Sequence, residues 1–295
     1  MTRLISFLAH AVYMGTPLLF GTVGEIQNEK AGHLNLGVEG TMAMGACAGF
    51  MVAYKTGSLW LSILAAFLMG ALVSLIYAFL TITMMANQNV TGLTLTIFGT
   101  GLSNFIGEQM ISASPTGNLK LPDGVMSSLK NIDIPLLSKI PVLGEVLFSQ
   151  NIFTYLSIVI AVIMFIYLKK TKVGLNLRTI GENPAVADAV GISVVKYKYI
   201  NVLIGGGICG IGGAFCSMVI TGGVWMANSV NGLGWIAVAL VIFAVWNPAR
   251  AIYGAYIFGA FMVLKYYFPK NLGFTVPESF FDMLPYLVTA LVLII

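Results

Sequence analysis

Chemistry in this chain is most readable in the run Gly181-Glu182-Asn183-Pro184-Ala185-Val186-Ala187-Asp188-Ala189-Val190-Gly191. Asn183 is a good helix N-cap, because its side-chain oxygen can accept an amide that the first turn leaves unpaired. Pro184 suits the first helical position, and Gly191 suits the left-handed residue just past the end. The spacing predicts a helix of about two turns, rich in alanine. Such a helix either connects two membrane segments at the interface or forms a small rigid knob on which a separate motor protein pushes.

A second group of residues is polar but sits inside apolar stretches. Glu39 follows Asn35-Leu36-Gly37 at the start of one such stretch, and an ionisable residue there is a functional hypothesis by default. Its alternative is a structural place at the interface beside Glu25, Glu29 and Lys30, and a role in holding the start of that segment is the preferred reading. From Asn89 onward, Gly92, Thr96, Gly99 and Ser103 recur at spacings of three and four, with Thr100 beside them. This places small, weakly polar groups on one helical face, which would either border a solute path or allow close helix packing. Trp225, Asn228, Asn231 and Trp235 combine aromatic faces with amides, fit either to stack on a purine and bond to it or to anchor the chain at the interface. Asn35, Glu39, Asn89, Thr96, Thr100, Ser103, Asn228, Asn231 and Trp235 are therefore the candidate path residues. Gly206, Gly210 and Ala214 read as a helix contact without chemistry.

No residue is read as catalytic. The chain has two histidines, His10 and His33, and no HExxH, GxSxG or GxxxxGK[ST] motif. The string Gly207 to Gly213 does not match GxGxxG. Cys47, Cys209 and Cys216 lack any metal or disulfide spacing, so neither metal nor cofactor is expected.

The elements that must position these residues follow from composition. Of 295 residues 58% are apolar and 9% charged, too few charges to cover a water-soluble surface. Apolar windows run Leu4 to Val23, Leu34 to Tyr54, Leu59 to Met85, Val90 to Ile111, Ile152 to Leu168, Tyr199 to Ile220, Gly232 to Trp246, Ile252 to Phe268 and Met283 to Ile295. Most reach or approach the ~20 residues needed to span a bilayer. The expectation is a single membrane domain over 1–295, an all-α polytopic transmembrane bundle of about 9–10 segments. The stub Met1 to Arg3 precedes a true membrane segment rather than a cleaved leader, and a polar tail is expected beyond Ile295.

Charge placement sets the sides. Segment 169–198 carries Lys169, Lys170, Lys172, Arg178, Lys196 and Lys198 and is expected in the cytoplasm. Segment 112–150, with balanced charge and Pro115, Pro122, Pro135 and Pro141, is expected outside. Counting forward puts Asn247 to Arg250 inside, Pro269 to Asp282 outside and the C-terminus inside. Counting backward puts the N-terminus outside unless Leu34 to Tyr54 or Val90 to Ile111 hides another crossing. Asn35-Leu36-Gly37 and Asn231-Gly232-Leu233-Gly234 each open a window, a thin internal similarity of the kind that marks substrate paths in transporters. Nucleic-acid binding is not implied. An ion-coupled secondary transporter would show the same profile, but apart from Glu39, Glu108 and Lys265 the windows hold few sites for a coupling ion.

The run Leu177-Arg178-Thr179-Ile180-Gly181-Glu182-Asn183-Pro184, continuing to Val190-Gly191-Ile192 and Lys196, resembles the coupling loop of ABC importer permeases of the branched-chain amino acid, simple-sugar and nucleoside group. Glu25, Glu29, Gly32 and Leu34-Asn35-Leu36-Gly37-Val38-Glu39-Gly40 resemble the N-terminal signature of its nucleoside branch. The resemblance implies a type II-like importer fold in a bacterial cell membrane and translocation of nucleosides, or else of simple sugars or branched-chain amino acids. The implied partners are a second permease subunit, identical or not, two cytoplasmic ABC ATPase subunits and an extracellular or periplasmic substrate-binding (lipo)protein. Gly181, Glu182, Asn183, Pro184, Ala185, Ala187 and Gly191 would then seat in the ATPase.

Overall fold

The computed structural model describes residues 2–114, 117–133, 135, 138, 140–267 and 277–294. Pro115, Lys139, Ile295 and, from the expected outer turn, residues 269–276 lie outside them.

Helix α1 (Thr2–Lys30) continues two turns past the apolar window that ends at Val23. Those turns carry Glu25, Gln27 and Asn28, all fully buried. A buried carboxylate is costly unless it is bonded. Glu25 accepts from Asn28 Nδ2 at 2.8 Å and from the Asn35 amide at 2.7 Å, so the helix continues where hydropathy stops. Lys30 ends beside the basic segment, since a Cβ on Gly181 would lie 2.4 Å from the Lys30 carbonyl oxygen. The other end of α1 meets the proline-rich segment, where Gln150 Nε2 donates to the Ala9 carbonyl at 3.4 Å. The bundle thus has a basic pole, marked by Lys30 and Gly181, and an opposite pole, marked by Ala9 and Gln150.

From the basic pole the chain turns back inward. Helix α2 (Val38–Thr56) begins level with Gly21, whose added Cβ would sit 3.7 Å from Val38. That is nine residues, about 13 Å by helix rise, inside the end of α1. Helix α3 (Leu59–Ala78) returns from the opposite pole and ends in a π-helical turn, Phe79–Thr83. Helix α4 (Gln88–Ala113) runs out again, its first amides accepted by the Asn87 side chain. The opposite pole is topped by α5 (Asp123–Ser128), α6 (Leu143–Leu147) and an antiparallel ribbon of β1 (Ile132–Asp133) and β2 (Ser149–Gln150). Helix α7 (Ile152–Lys170) descends to the basic pole, where Lys169 and Lys170 complement the negative end of its dipole. There lie α8 (Lys172–Glu182) and α9 (Pro184–Ala189). Helix α10 (Val194–Phe215), extended by the π-helical turn Cys216–Ile220, crosses back, followed by the half-length α11 (Leu233–Phe243), then α12 (Pro248–Tyr267) and α13 (Glu278–Ile294).

Among the described residues four segments, Arg3–Lys30, Leu59–Thr83, Ile152–Lys170 and Val194–Ile220, are long and apolar enough to cross a membrane by length and composition. The other long helices pack alongside them. Leu34 to Tyr54 and Val90 to Ile111 each contribute one continuous helix. The start of α1 lies at the pole away from the basic segment.

Helix α10 is the axis of the bundle, packed among α1, α2 and α3. Small residues allow this. A Cβ on Gly206 would stand 1.7 Å from Ser74 Oγ, and one on Gly210 would stand 2.2 Å from the Ala66 carbonyl oxygen, so this face is a helix contact.

A cavity at the crossing of two helix starts, and a helix at the basic pole

The starts of α2 and α11 meet inside the bundle and point apart. Gly21 of α1 faces both, with Ala237 of α11 within 2.7 Å of its would-be Cβ. Helix N-termini carry partial positive charge and unpaired amides, so two starts in one place call for an acceptor. Glu39 supplies it. Its Oε1 accepts from the Gly232 amide and its Oε2 from the Gly234 amide, each at 2.7 Å. The carboxylate lies in the first turn of its own helix and caps the other. Glu39 is thus buried within the bundle, not at an interface with Glu29 and Lys30.

Beside this junction lies a cavity of ~230 Å³ lined by Glu39, Ala43, Thr100, Ser103, Asn104, Asn228, Ser229, Val230, Asn231 and Gly232. Its α4 wall and its loop wall are joined by a reciprocal amide pair. Asn104 Nδ2 donates to Asn228 Oδ1 at 2.8 Å, and the Asn228 amide donates to Asn104 Oδ1 at 3.0 Å. The loop wall is irregular backbone descending from the opposite pole, where the Leu121 amide donates to the Gly223 carbonyl and the Trp225 amide to the Leu119 carbonyl. Irregular backbone at membrane depth is tolerated where it borders a cavity. Asn228 and Asn231 take the left-handed conformation, φ 54 and 48, which asparagine adopts more readily than most residues.

Five candidate path residues, Glu39, Thr100, Ser103, Asn228 and Asn231, converge on this cavity. The other four do not. Asn35 folds an Asx turn at the start of α2, its Oδ1 accepting from the Gly37 amide at 2.9 Å. Asn89 is exposed in the first turn of α4 near the basic pole. Thr96 Oγ1 donates to the Leu36 carbonyl at 2.9 Å, and Trp235 stands in the first turn of α11 outside the lining. The Gly92-Thr96-Gly99-Ser103 face mostly packs on α2: a Cβ on Gly99 would meet the Gly40 carbonyl oxygen at 2.5 Å. Only Ser103 reaches both sides, donating to the Ala43 carbonyl at 2.9 Å while bordering the cavity. Trp225 is buried edge-on against Phe50, with ring centroids 5.3 Å apart, so it packs the core instead of anchoring at an interface. Sequence reading missed Asn104, whose signal was an amide one turn beyond Thr100 in an apolar window.

At the basic pole, α9 has the expected caps. Asn183 accepts from the Val186 amide at 3.2 Å, Pro184 holds the first turn, and Gly191 closes the end with φ 81. The Ile192 amide returns to the Ala187 carbonyl at 3.0 Å, which completes the glycine-terminated cap. Ala187 is buried against the bundle, while Glu182, Asn183, Pro184 and Ala185 are exposed. Val186 and Val190 are 51% and 70% exposed, which gives α9 an outward apolar face. Gly181 is not on that face: it lies against the end of α1. A polar pocket of ~280 Å³ formed by Glu29, Lys30, Arg178, Gly181, Glu182 and Trp246 sits beside it.

A polytopic bundle with an internal polar cavity, broken helix starts and a capped knob at its basic face has the makings of a membrane permease. The chain matches the family described as branched-chain amino acid transport system / permease component over residues 7–293. It belongs to that family of ABC transporter permeases, and it is a multi-pass membrane protein that moves solute and is not itself catalytic. It is similar to a putative glucose ABC transporter permease protein of Haloferax volcanii, 37% identical over 254 residues, covering 86% of this chain and 75% of the relative. It is similar to a nucleoside ABC transporter permease protein of Lactococcus lactis subsp. cremoris, 34% identical over 294 residues, covering 97% and 90%. A guanosine ABC transporter permease protein of Bacillus subtilis is 33% identical over 302 residues, covering 99% and 92%. No solved structure matches the chain significantly.

Proposed function

We propose that this importer permease translocates nucleosides by alternating access, driven by separate ATPase subunits that seat on α9. The observation that carries the substrate reading is the cavity lining. Amides of Asn104, Asn228 and Asn231 and hydroxyls of Thr100, Ser103 and Ser229 surround it, with no basic residue among its lining. Such a wall offers paired donors and acceptors to ribose hydroxyls and base edges and little to an anion. The relatives named for nucleosides and guanosine support the same reading, as they are matched over nearly their full length.

Simple sugars are the second reading, favoured by the relative named for glucose. Uptake of labelled guanosine, ribose, glucose and leucine, measured side by side in vesicles holding the assembled complex, separates the two. Preference for guanosine supports the proposal, and preference for glucose or ribose defeats it.

The proposed setting is a bacterial cytoplasmic membrane, with 1–295 as one permease domain, 169–198 in the cytoplasm and 112–150 outside. Substrate is delivered there by a binding protein. A second permease subunit would cover the outward face of α4, where Leu93, Ile97, Phe98 and Phe105 stand exposed. Gly181 would transmit motion by its contact with α1, and Glu182, Asn183, Pro184, Ala185 and Gly191 would shape the surface offered to the ATPase, with Ala187 fixing α9 to the bundle.

A further inference from the structure

Helix α11 is a short rod tied at both ends to carboxylates of the N-terminal helices. At its start, Glu39 holds the amides of Gly232 and Gly234. Just past its end, Trp246 Nε1 donates to Glu29 Oε2. Between them, Thr22 Oγ1 donates to the Ala237 carbonyl at 3.0 Å. The backbone on each side is left-handed at non-glycine residues: Asn228 and Asn231 before it, and Val245 and Trp246 after it, with φ 51 and 50. For a β-branched residue such as Val245 this is an outlier, and such residues persist where their surroundings over-determine them, often at switch regions.

The two ties differ in neighbourhood. Glu29 and Trp246 share the basic-pole pocket with Gly181 and Glu182, which lead directly into α9. Glu39 and Gly232 line the cavity. A rigid helix therefore joins the neighbourhood of the coupling knob to the wall of the solute cavity. We propose that Glu39 is a positioning residue: it grips the start of α11, so that displacement of α8 and α9, received at the Glu29–Trp246 contact, is delivered to Asn231 and Gly232 in the cavity wall. This rests on the reading of the chain as an ATP-driven permease. Glu39 then shapes the cavity through α11 and does not itself hold the solute.

The side-chain chemistry gives clean perturbations. In Glu39→Gln the new NH₂ must face one of the two backbone amides, so one of two charge-assisted bonds is replaced by a donor facing a donor. Trp246→Phe keeps an aromatic ring and removes the only N–H that Glu29 accepts from it. The test uses the chain reconstituted with its ATPase subunits and binding protein, with guanosine uptake and ATP hydrolysis read in the same vesicles. Each variant is expected to lower guanosine moved per ATP about tenfold, as loss of one hydrogen bond to a charged group would. The half-saturating guanosine concentration is expected to stay unchanged in Trp246→Phe, which lies outside the cavity lining, and the double variant to be no worse than the worse single, because both break one strut.

A raised half-saturating concentration at unchanged stoichiometry would make Glu39 a solute contact and overturn the proposal. Additive losses in the double variant, or wild-type stoichiometry in either single variant, would also overturn it. Should Glu39→Gln fail to assemble, Trp246→Phe at the half-exposed end carries the same expectation. A wild-type complex without solute-stimulated ATP hydrolysis would refute the importer reading itself, a result distinct from a working importer whose variants remain fully coupled.

Discussion

Replacing Gly99 with alanine separates packing from solute contact along α4. A Cβ at Gly99 would lie 2.5 Å from the Gly40 carbonyl oxygen and 2.7 Å from its carbonyl carbon and Cα. All three are backbone atoms of α2, so no side chain can rotate away. Reaching ordinary contact requires α4 to move off α2 by roughly 1 Å, an overpacking that costs about 1–3 kcal/mol. Against this, glycine to alanine inside a helix is intrinsically favourable by about 1 kcal/mol. Gly101 supplies the control, because on the same helix a Cβ there meets nothing within 4 Å. Gly101→Ala should therefore be neutral or stabilising, and Gly99→Ala should fall about 1–3 kcal/mol below it. Thermal unfolding of the purified chain in detergent reads this as a gap of several degrees. Uptake would fall with it, since α4 carries Thr100 and Asn104 in the cavity wall. Equal melting of the two variants, with a raised half-saturating solute concentration in Gly99→Ala, would refute the packing account and return this face to the solute path.

Asn183→Ala removes the cap of a six-residue helix, so about 1 kcal/mol of local stability is lost; amide exchange of 186–190 should quicken about fivefold, and unchanged exchange would contradict the capping role. Asn104→Leu leaves Asn228 without its reciprocal partner and should loosen the loop wall, lowering uptake more than it lowers membrane expression. Burial and the nearby Lys198 push His33 down to about 4 from its ordinary 6.5. The unfolded chain then binds the extra proton first, so stability is complete above about pH 6.5 and is lost as pH falls toward 4. Replacing His33 with phenylalanine should flatten that part of a melting-versus-pH series.

The knob at the basic pole was legible because its signals are local: a capping asparagine, a proline at the first position and a glycine past the end describe one short helix by themselves. The window Gly232 to Trp246, shorter than its neighbours, holds the half-length α11. The end of α1 was not legible, because Glu25, Gln27 and Asn28 look exposed until Asn35 folds back to meet Glu25. The small-residue face of α4 was ambiguous in principle, since close packing and a weakly polar path require the same residues at the same spacing. Which applied depended on the Gly40 and Leu36 carbonyls of a different segment. The role of Glu39 was hidden for the same reason: its bonds reach Gly232 and Gly234, almost two hundred residues along the chain.

The central claim is that force enters this bundle through α9. It is tested most directly by measuring solute-stimulated ATP hydrolysis in the reconstituted complex when Glu182 or Gly191 is replaced by tryptophan. Gly191 holds φ 81, so its replacement also strains the end of the helix. The predicted result is a loss of stimulation while solute capture by the binding protein stays intact. Stimulation at the wild-type level, or solute accumulation by the isolated chain on an ion gradient alone, would contradict the claim.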